Sequence, residues 1–194
     1  GAQEQPVRGL QEIAIHPLLP EELNFLIYNE PFEQVLSPRL REVKDVFVFG
    51  CTVALRVSDL LKLNKSNLRE TSGQFYLAVR SQKTSTDTLI RLPDYAVSIL
   101  HKYRTQRKNL LPSFNKVNLN EYIKELLAAA GFTQPVSKTR EKRGRVTEVK
   151  NTNKPGKTYR FCDLASTHTM RRTAINTMLS LGMPEQKKKK ISGH

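Results

Sequence analysis

The 194-residue sequence predicts a mainly helical α+β domain with one small antiparallel sheet. Three observations point there. Apolar residues recur at helical spacing over most of the chain, alternation at strand spacing is confined to residues 67–92, and turn residues punctuate the boundaries between them. With 38% hydrophobic residues, no Trp and 7% aromatics, the chain can bury an apolar core without crosslinks.

Residues 1–17 are polar and irregular, with Pro6, Gly9 and Pro17, and are expected to be a linker to a domain upstream; residues 18–194 form the domain proper. Pro20-Glu21-Glu22 opens a short helix through Leu23, Leu26 and Ile27, because Pro and acids suit a helix's first turn. Ser37-Pro38 opens a longer one over 39–52, with Leu40, Val43, Val46, Phe47 and Gly50 on one face; its end is apolar all round, as in a central helix. A short helix over 57–63 follows. Residues 74–79 and 88–92 read as strands joined by a polar turn, and Leu68 can begin a third. Pro93-Asp94 starts a helix to about Arg107, with Ala96, Ile99, Leu100 and Tyr103 inward. Asn118 or Asn120 is expected to cap a helix through Tyr122, Ile123, Leu126 and Leu127, closed by Gly131. Residues 135–160, with Gly144, Pro155 and Gly156, suggest an extended hairpin or loop. Ser166-Thr167 caps a helix over 168–181 that Gly182 and Pro184 end, and a last short helix leads to Ser192-Gly193-His194.

Charge is the first functional signal. The chain carries 32 Lys+Arg against 18 Asp+Glu, a formal +14, which favours a polyanion as partner. The excess is concentrated: residues 135–172 hold eleven Lys or Arg and three acids, as a binding face would. Arg140, Lys142, Arg143, Arg145 and Arg172 are the candidate DNA contacts within it. The two cysteines, Cys51 and Cys162, form no metal-type pair and fit the buried thiols of an intracellular chain. No apolar run reaches membrane-spanning length, and a cytosolic, DNA-accessible location, away from membrane, is expected.

Four islands can carry chemistry. Arg56, in Ala54-Leu55-Arg56-Val57-Ser58-Asp59-Leu60-Leu61, breaks two apolar helices; alone it is more often an Arg paired with a carboxylate such as Asp59. Lys83 sits in the turn Ser81–Thr86, where an isolated lysine is usually just solvated. His168 and Arg171, three apart, share a face at a helix N-terminus, an end that attracts phosphate. His194 follows Ser192-Gly193 and means little by itself.

In order and spacing these islands resemble the catalytic domain of tyrosine recombinases (phage integrases), over nearly all of 18–194. Leu55–Leu61 resembles the box of the family's first active-site Arg, and Lys83 its hairpin Lys. His168-Thr169-Met170-Arg171-Arg172 resembles the His-x-x-Arg box, and Ser192-Gly193-His194 the Gly-His that follows. Thr167–Thr173 and Ile191–His194 look most like integrases of conjugative or mobilizable transposons.

The resemblance implies DNA strand cleavage and rejoining through a 3′-phosphotyrosine, without metal or cofactor. Arg56 and Arg171 would clamp the phosphate oxygens. Lys83, with a lowered pKa, would protonate the 5′-oxygen; His168 would help deprotonate the nucleophile; His194 would hydrogen-bond the phosphate. Double-stranded DNA is the implied partner, with four protomers on it in the full enzyme and a monomer for this stretch alone.

Two features depart from the pattern. None of the six tyrosines (Tyr28, Tyr76, Tyr95, Tyr103, Tyr122, Tyr159) lies in the nucleophile box. The expectation is therefore a chain that stops before its Tyr, binding DNA without cutting it. Lys187–Lys190 follow Gln186 where a helix between two site boxes should turn apolar residues inward. The alternative is a non-catalytic, regulatory DNA-binding module of the same fold.

Overall fold

The structure, a computed structural model, describes residues 12–105 and 108–180. Its centre is helix α3 (Pro38–Val53), where Val43, Val46, Phe47, Val48, Phe49, Cys51 and Val53 are all buried. Ser37 starts it as its sequence predicts: Oγ accepts from the Leu40 amide at 3.2 Å. Before it come α1 (Pro20–Tyr28) and α2 (Glu30–Val35). The second helix was not anticipated. Asn29 stops α1 and caps α2, its Oδ1 accepting from the Phe32 amide at 2.9 Å, and six residues are too few to show a period.

After α3, Ala54 adopts a left-handed backbone (φ 57°, ψ 26°) while fully buried. The chain turns there and enters α4 (Val57–Leu61), with Arg56 at the N-cap. The three-stranded sheet follows in the order β2-β3-β4, all antiparallel: β2 (Leu68–Thr71), β3 (Gln74–Arg80) and β4 (Asp87–Arg91). Leu77 pairs with Ile90 and both face the core. The third strand at Leu68 is present as expected.

Helix α5 (Asp94–Tyr103) ends four residues before the expected Arg107. Helix α6 (Lys116–Ala129) begins earlier than expected. Its cap is Asn115, whose Oδ1 accepts from the Val117 amide at 2.8 Å, so neither Asn118 nor Asn120 caps it. Gly131 closes it with φ +82°: its amide donates to Ala128 O and that of Phe132 to Leu127 O, both at 3.0 Å, which satisfies the last carbonyls.

The basic segment is built as two strand pairs. In one, β5 (Pro135–Val136) meets β8 (Tyr159–Arg160). In the other, β6 (Thr139–Lys142) and β7 (Arg145–Glu148) form a hairpin, and β1 (Glu12–Ile13) adds to its β6 edge. Part of the polar N-terminal stretch is therefore sheet. A single-turn helix, α7 (Phe161–Leu164), also unanticipated, leads to α8 (Thr167–Ser180).

Helix α8 lies on α3, and glycine permits the approach. A Cβ on Gly50 would sit 2.5 Å from Met170 Sδ and 3.2 Å from Leu60 Cδ2. Thr173 ties α8 to the entry of the domain, its Oγ1 accepting from the Leu18 amide at 3.0 Å. Both cysteines are buried free thiols. Among the described residues no helix is long and apolar enough to cross a membrane.

Candidate active site

Four of the five predicted catalytic residues line one cavity of about 620 Å³: Arg56, Lys83, His168 and Arg171. They arrive from separate parts of the chain. Arg56 comes from the N-cap of α4, immediately after the left-handed Ala54. A non-glycine residue there costs about 1 kcal/mol, and burial holds it in place. Lys83 is carried out of the β3–β4 hairpin by a closed turn, in which Ser81 N donates to Thr86 O at 2.9 Å and Ser85 N to Ser81 O at 2.8 Å. His168 and Arg171 stand on the first turns of α8. Ser166 begins that helix, its Oγ accepting from the His168 amide at 3.2 Å while Thr169 Oγ1 accepts from the Ser166 amide at 2.9 Å. Arg172, predicted as a DNA contact, also lines the cavity. His194 lies outside the described residues, as do Lys187–Lys190.

The remaining candidates sit elsewhere. Lys142, Arg143 and Arg145 are exposed on the β6–β7 hairpin and do not line the cavity. Arg140 is half-buried where β1 joins β6, opposite Ile13, and its Nε is a buried donor without a partner among the described residues. None of the six tyrosines lines the cavity. Tyr103 is buried and donates to Asp45, and Tyr122 meets Phe114 edge-to-face beneath the Arg39 guanidinium.

Electrostatics inside the cavity are one-sided. Burial and the neighbouring Arg56 depress the Arg171 pKa to about 10, against the opposing pull of Asp59. Burial, Lys116 and Arg171 lower that of His168, so the imidazole is neutral at neutral pH. Like charges crowded in a partly desolvated cleft raise its free energy unless an anion enters. Among the described residues no group of three or more His, Cys, Asp or Glu is placed to hold a metal ion.

Sequence reasoning missed three members. Ser81 is buried and accepts from Arg56 Nη1 at 3.3 Å, orienting the guanidinium. Lys116 and Thr167 line the cavity too. Asp59, weighed only as a partner for Arg56, is buried and acts electrostatically on Arg171. Placing the α6 cap at Asn115 would have put Lys116 at a helix start; nothing in the sequence distinguishes Ser81.

The arrangement defines a class: this is the fold of the tyrosine recombinase catalytic domain, a helical body with a small sheet between its first and second groups of helices. Among solved structures it is similar to XerH site-specific recombinase bound to its difH substrate (TM-score 0.61, 12% identity, 92% of this chain and 47% of that one). It is also similar to the lambda integrase catalytic core (0.57, 16%, 92% and 91%) and to the Tn1549 transposon integrase in complex with circular intermediate DNA (0.59, 15%, 92% and 59%). The chain thus spans about half the length of the XerH chain it matches. No family model and no curated protein matches it in sequence.

Proposed function

We propose that this chain is the catalytic domain of a site-specific DNA recombinase or integrase that cleaves and rejoins strands through a 3′-phosphotyrosine. One observation carries the reading: two guanidinium groups, an ammonium and a neutral imidazole, distant in sequence, share one cavity. Double-stranded DNA is the partner, and the DNA-bound recombinases of similar fold support that choice.

In the proposed reaction a tyrosine oxygen attacks the scissile phosphorus and the bond to the 5′-oxygen breaks. The phosphate gains charge on its non-bridging oxygens, and Arg56 and Arg171 meet that charge with planar forks. His168, held neutral, accepts the tyrosine proton; Lys83, on its flexible stem, delivers a proton to the departing oxygen. Rejoining runs the steps backwards, with the bond energy kept in the phosphotyrosine. The reaction needs a tyrosine that none of the six in this sequence supplies at the cavity, so residues 1–194 alone bind DNA and leave it uncut. The same observation favours a second reading, a DNA-binding module that lacks the chemistry altogether.

Trapping on a nicked suicide duplex separates the two. A longer chain carrying a tyrosine beyond residue 194 should form a covalent protein–DNA adduct, and Arg171→Ala should slow it about a hundredfold or more. Lys83→Ala should slow ordinary DNA far more than DNA with a better leaving group; equal slowing removes Lys83 from the acid role. An adduct that never forms supports the module.

A further inference from the structure

We propose that Lys116 is a further substrate-binding residue of this cavity, holding the DNA phosphate next to the one clamped by Arg56 and Arg171. The inference rests on the reading of the cavity as a phosphate site, and goes beyond the residues assigned to it above.

Two helices of 14 residues, α6 and α8, begin at the cavity wall. They are tied together there: the Thr167 amide at the start of α8 donates to Asn120 Oδ1 in the second turn of α6, at 2.9 Å. Lys116, the first residue of α6, therefore lines the cavity beside His168 and Thr167. At about 620 Å³ the space is of a size that takes a whole small ligand, more than a single phosphodiester needs.

Several lysines of the fold are committed to internal partners. Lys62 donates to Gln82, Lys124 to Glu121 and Lys102 to Glu33 and Asp45, and Lys138 lies over the Tyr159 ring. Lys116 is exposed and has no such partner among the described residues. A second observation points to a ligand. Thr167 is 4% exposed and lines the cavity, yet its Oγ1 has no hydrogen-bond partner among the described residues. Buried hydroxyls are ordinarily satisfied, and a phosphate oxygen between Lys116 and Thr167 would accept from both once the hydroxyl turns towards it.

Lys116 also acts on His168. Lys116 from α6 and Arg171 from α8 act on that imidazole, Arg172 from α8, Arg56 at the start of α4 and Lys83 from the hairpin line the same cavity, and the Asp59 carboxylate acts on Arg171. Lys116 and Arg171 favour the uncharged ring, so losing the Lys116 charge moves the His168 pKa up towards its ordinary value.

The test measures duplex-DNA affinity against salt for the present chain and its variants. Each lost phosphate contact reduces the log–log slope by about 0.9. Lys116→Met should lose one such unit and Lys116→Arg should keep it. Lys124→Met, which removes the same charge two turns along α6, should leave the slope intact. In the free protein, NMR titration of His168 should give a higher pKa in Lys116→Met. An unchanged slope in Lys116→Met, or one shared equally with Lys124→Met, overturns the proposal. If Arg171→Ala weakens binding while Lys116→Met does not, this inference alone falls. If neither matters, the phosphate reading of the cavity falls with it.

Discussion

Two charged clusters flank α3, and they are built on opposite rules. One is balanced. Lys44 and Asp45, each 4% exposed, sit in the body of the helix among apolar neighbours. Lys44 donates to the Leu26 carbonyl at 3.0 Å and faces Glu33 at 3.7 Å; Lys102 bridges Glu33 and Asp45, both at 3.2 Å; and Tyr103 donates to Asp45. Two cations thus meet two anions. The other cluster, entered three residues past the end of α3, gathers Arg56, Lys83, Lys116, His168, Arg171 and Arg172 in one cavity, where the Asp59 carboxylate acts on Arg171. The first serves the fold, since every charge has an internal partner. The second collects charges of one sign on the wall of one cavity, as a site for an anionic ligand does.

The largest effect should come from breaking the balanced cluster. Asp45→Ala removes the acceptor of Tyr103 and a partner of Lys102 while Lys44 stays buried. Such a loss costs about 3 kcal/mol, read as a lower urea midpoint at unchanged slope. A midpoint within error of wild type would show that the network contributes nothing. In the cationic cavity the sign reverses. Arg171→Met removes a crowded charge and should raise stability by on the order of 1 kcal/mol, discounted for its partial exposure, while weakening DNA binding. Lower stability with intact binding would make Arg171 a structural residue.

The smallest effect separates the clusters by pH. The folded-state pKa of His168 lies below its unfolded value of about 6.5, chiefly through burial. The unfolded chain then takes up a proton more readily, so stability declines as pH falls below that value. Glu33 differs. Burial opposes its ionisation, but Lys44, Lys102 and Arg41 outweigh that and hold its carboxyl below 4.5. Its contribution is present above pH 4.5 and is lost only as pH falls through the lower folded value. Urea midpoints measured against pH should show an early decline, absent in His168→Gln, and a later one, absent in Glu33→Gln. An early decline that survives in His168→Gln would detach it from the cavity.

The sequence showed one cluster better than the other. Arg56, Lys83 and the His168/Arg171 pair stand at a helix break, a hairpin turn and a helix start, and their order and spacing together mark them where each alone has a bland reading. Lys116 escaped because the cap is expected at Asn118 or Asn120, whereas the backbone uses Asn115, which that expectation does not include. Lys44 and Asp45 escaped because their partners lie on α2 and α5, and long-range pairing leaves no local pattern. The central helix, the sheet and its third strand were legible from periodicity; α2 and α7 were too short to show one.

Ala54 turns a property of the core into one of the cavity. A lone mirror-handed peptide unit, sealed from solvent, sets the direction in which the next residues leave the helix. The aim of Arg56 is thereby inherited from packing around a methyl group that no nucleic acid could touch. Variants that loosen that packing should misdirect the guanidinium while leaving every residue of the cavity chemically intact.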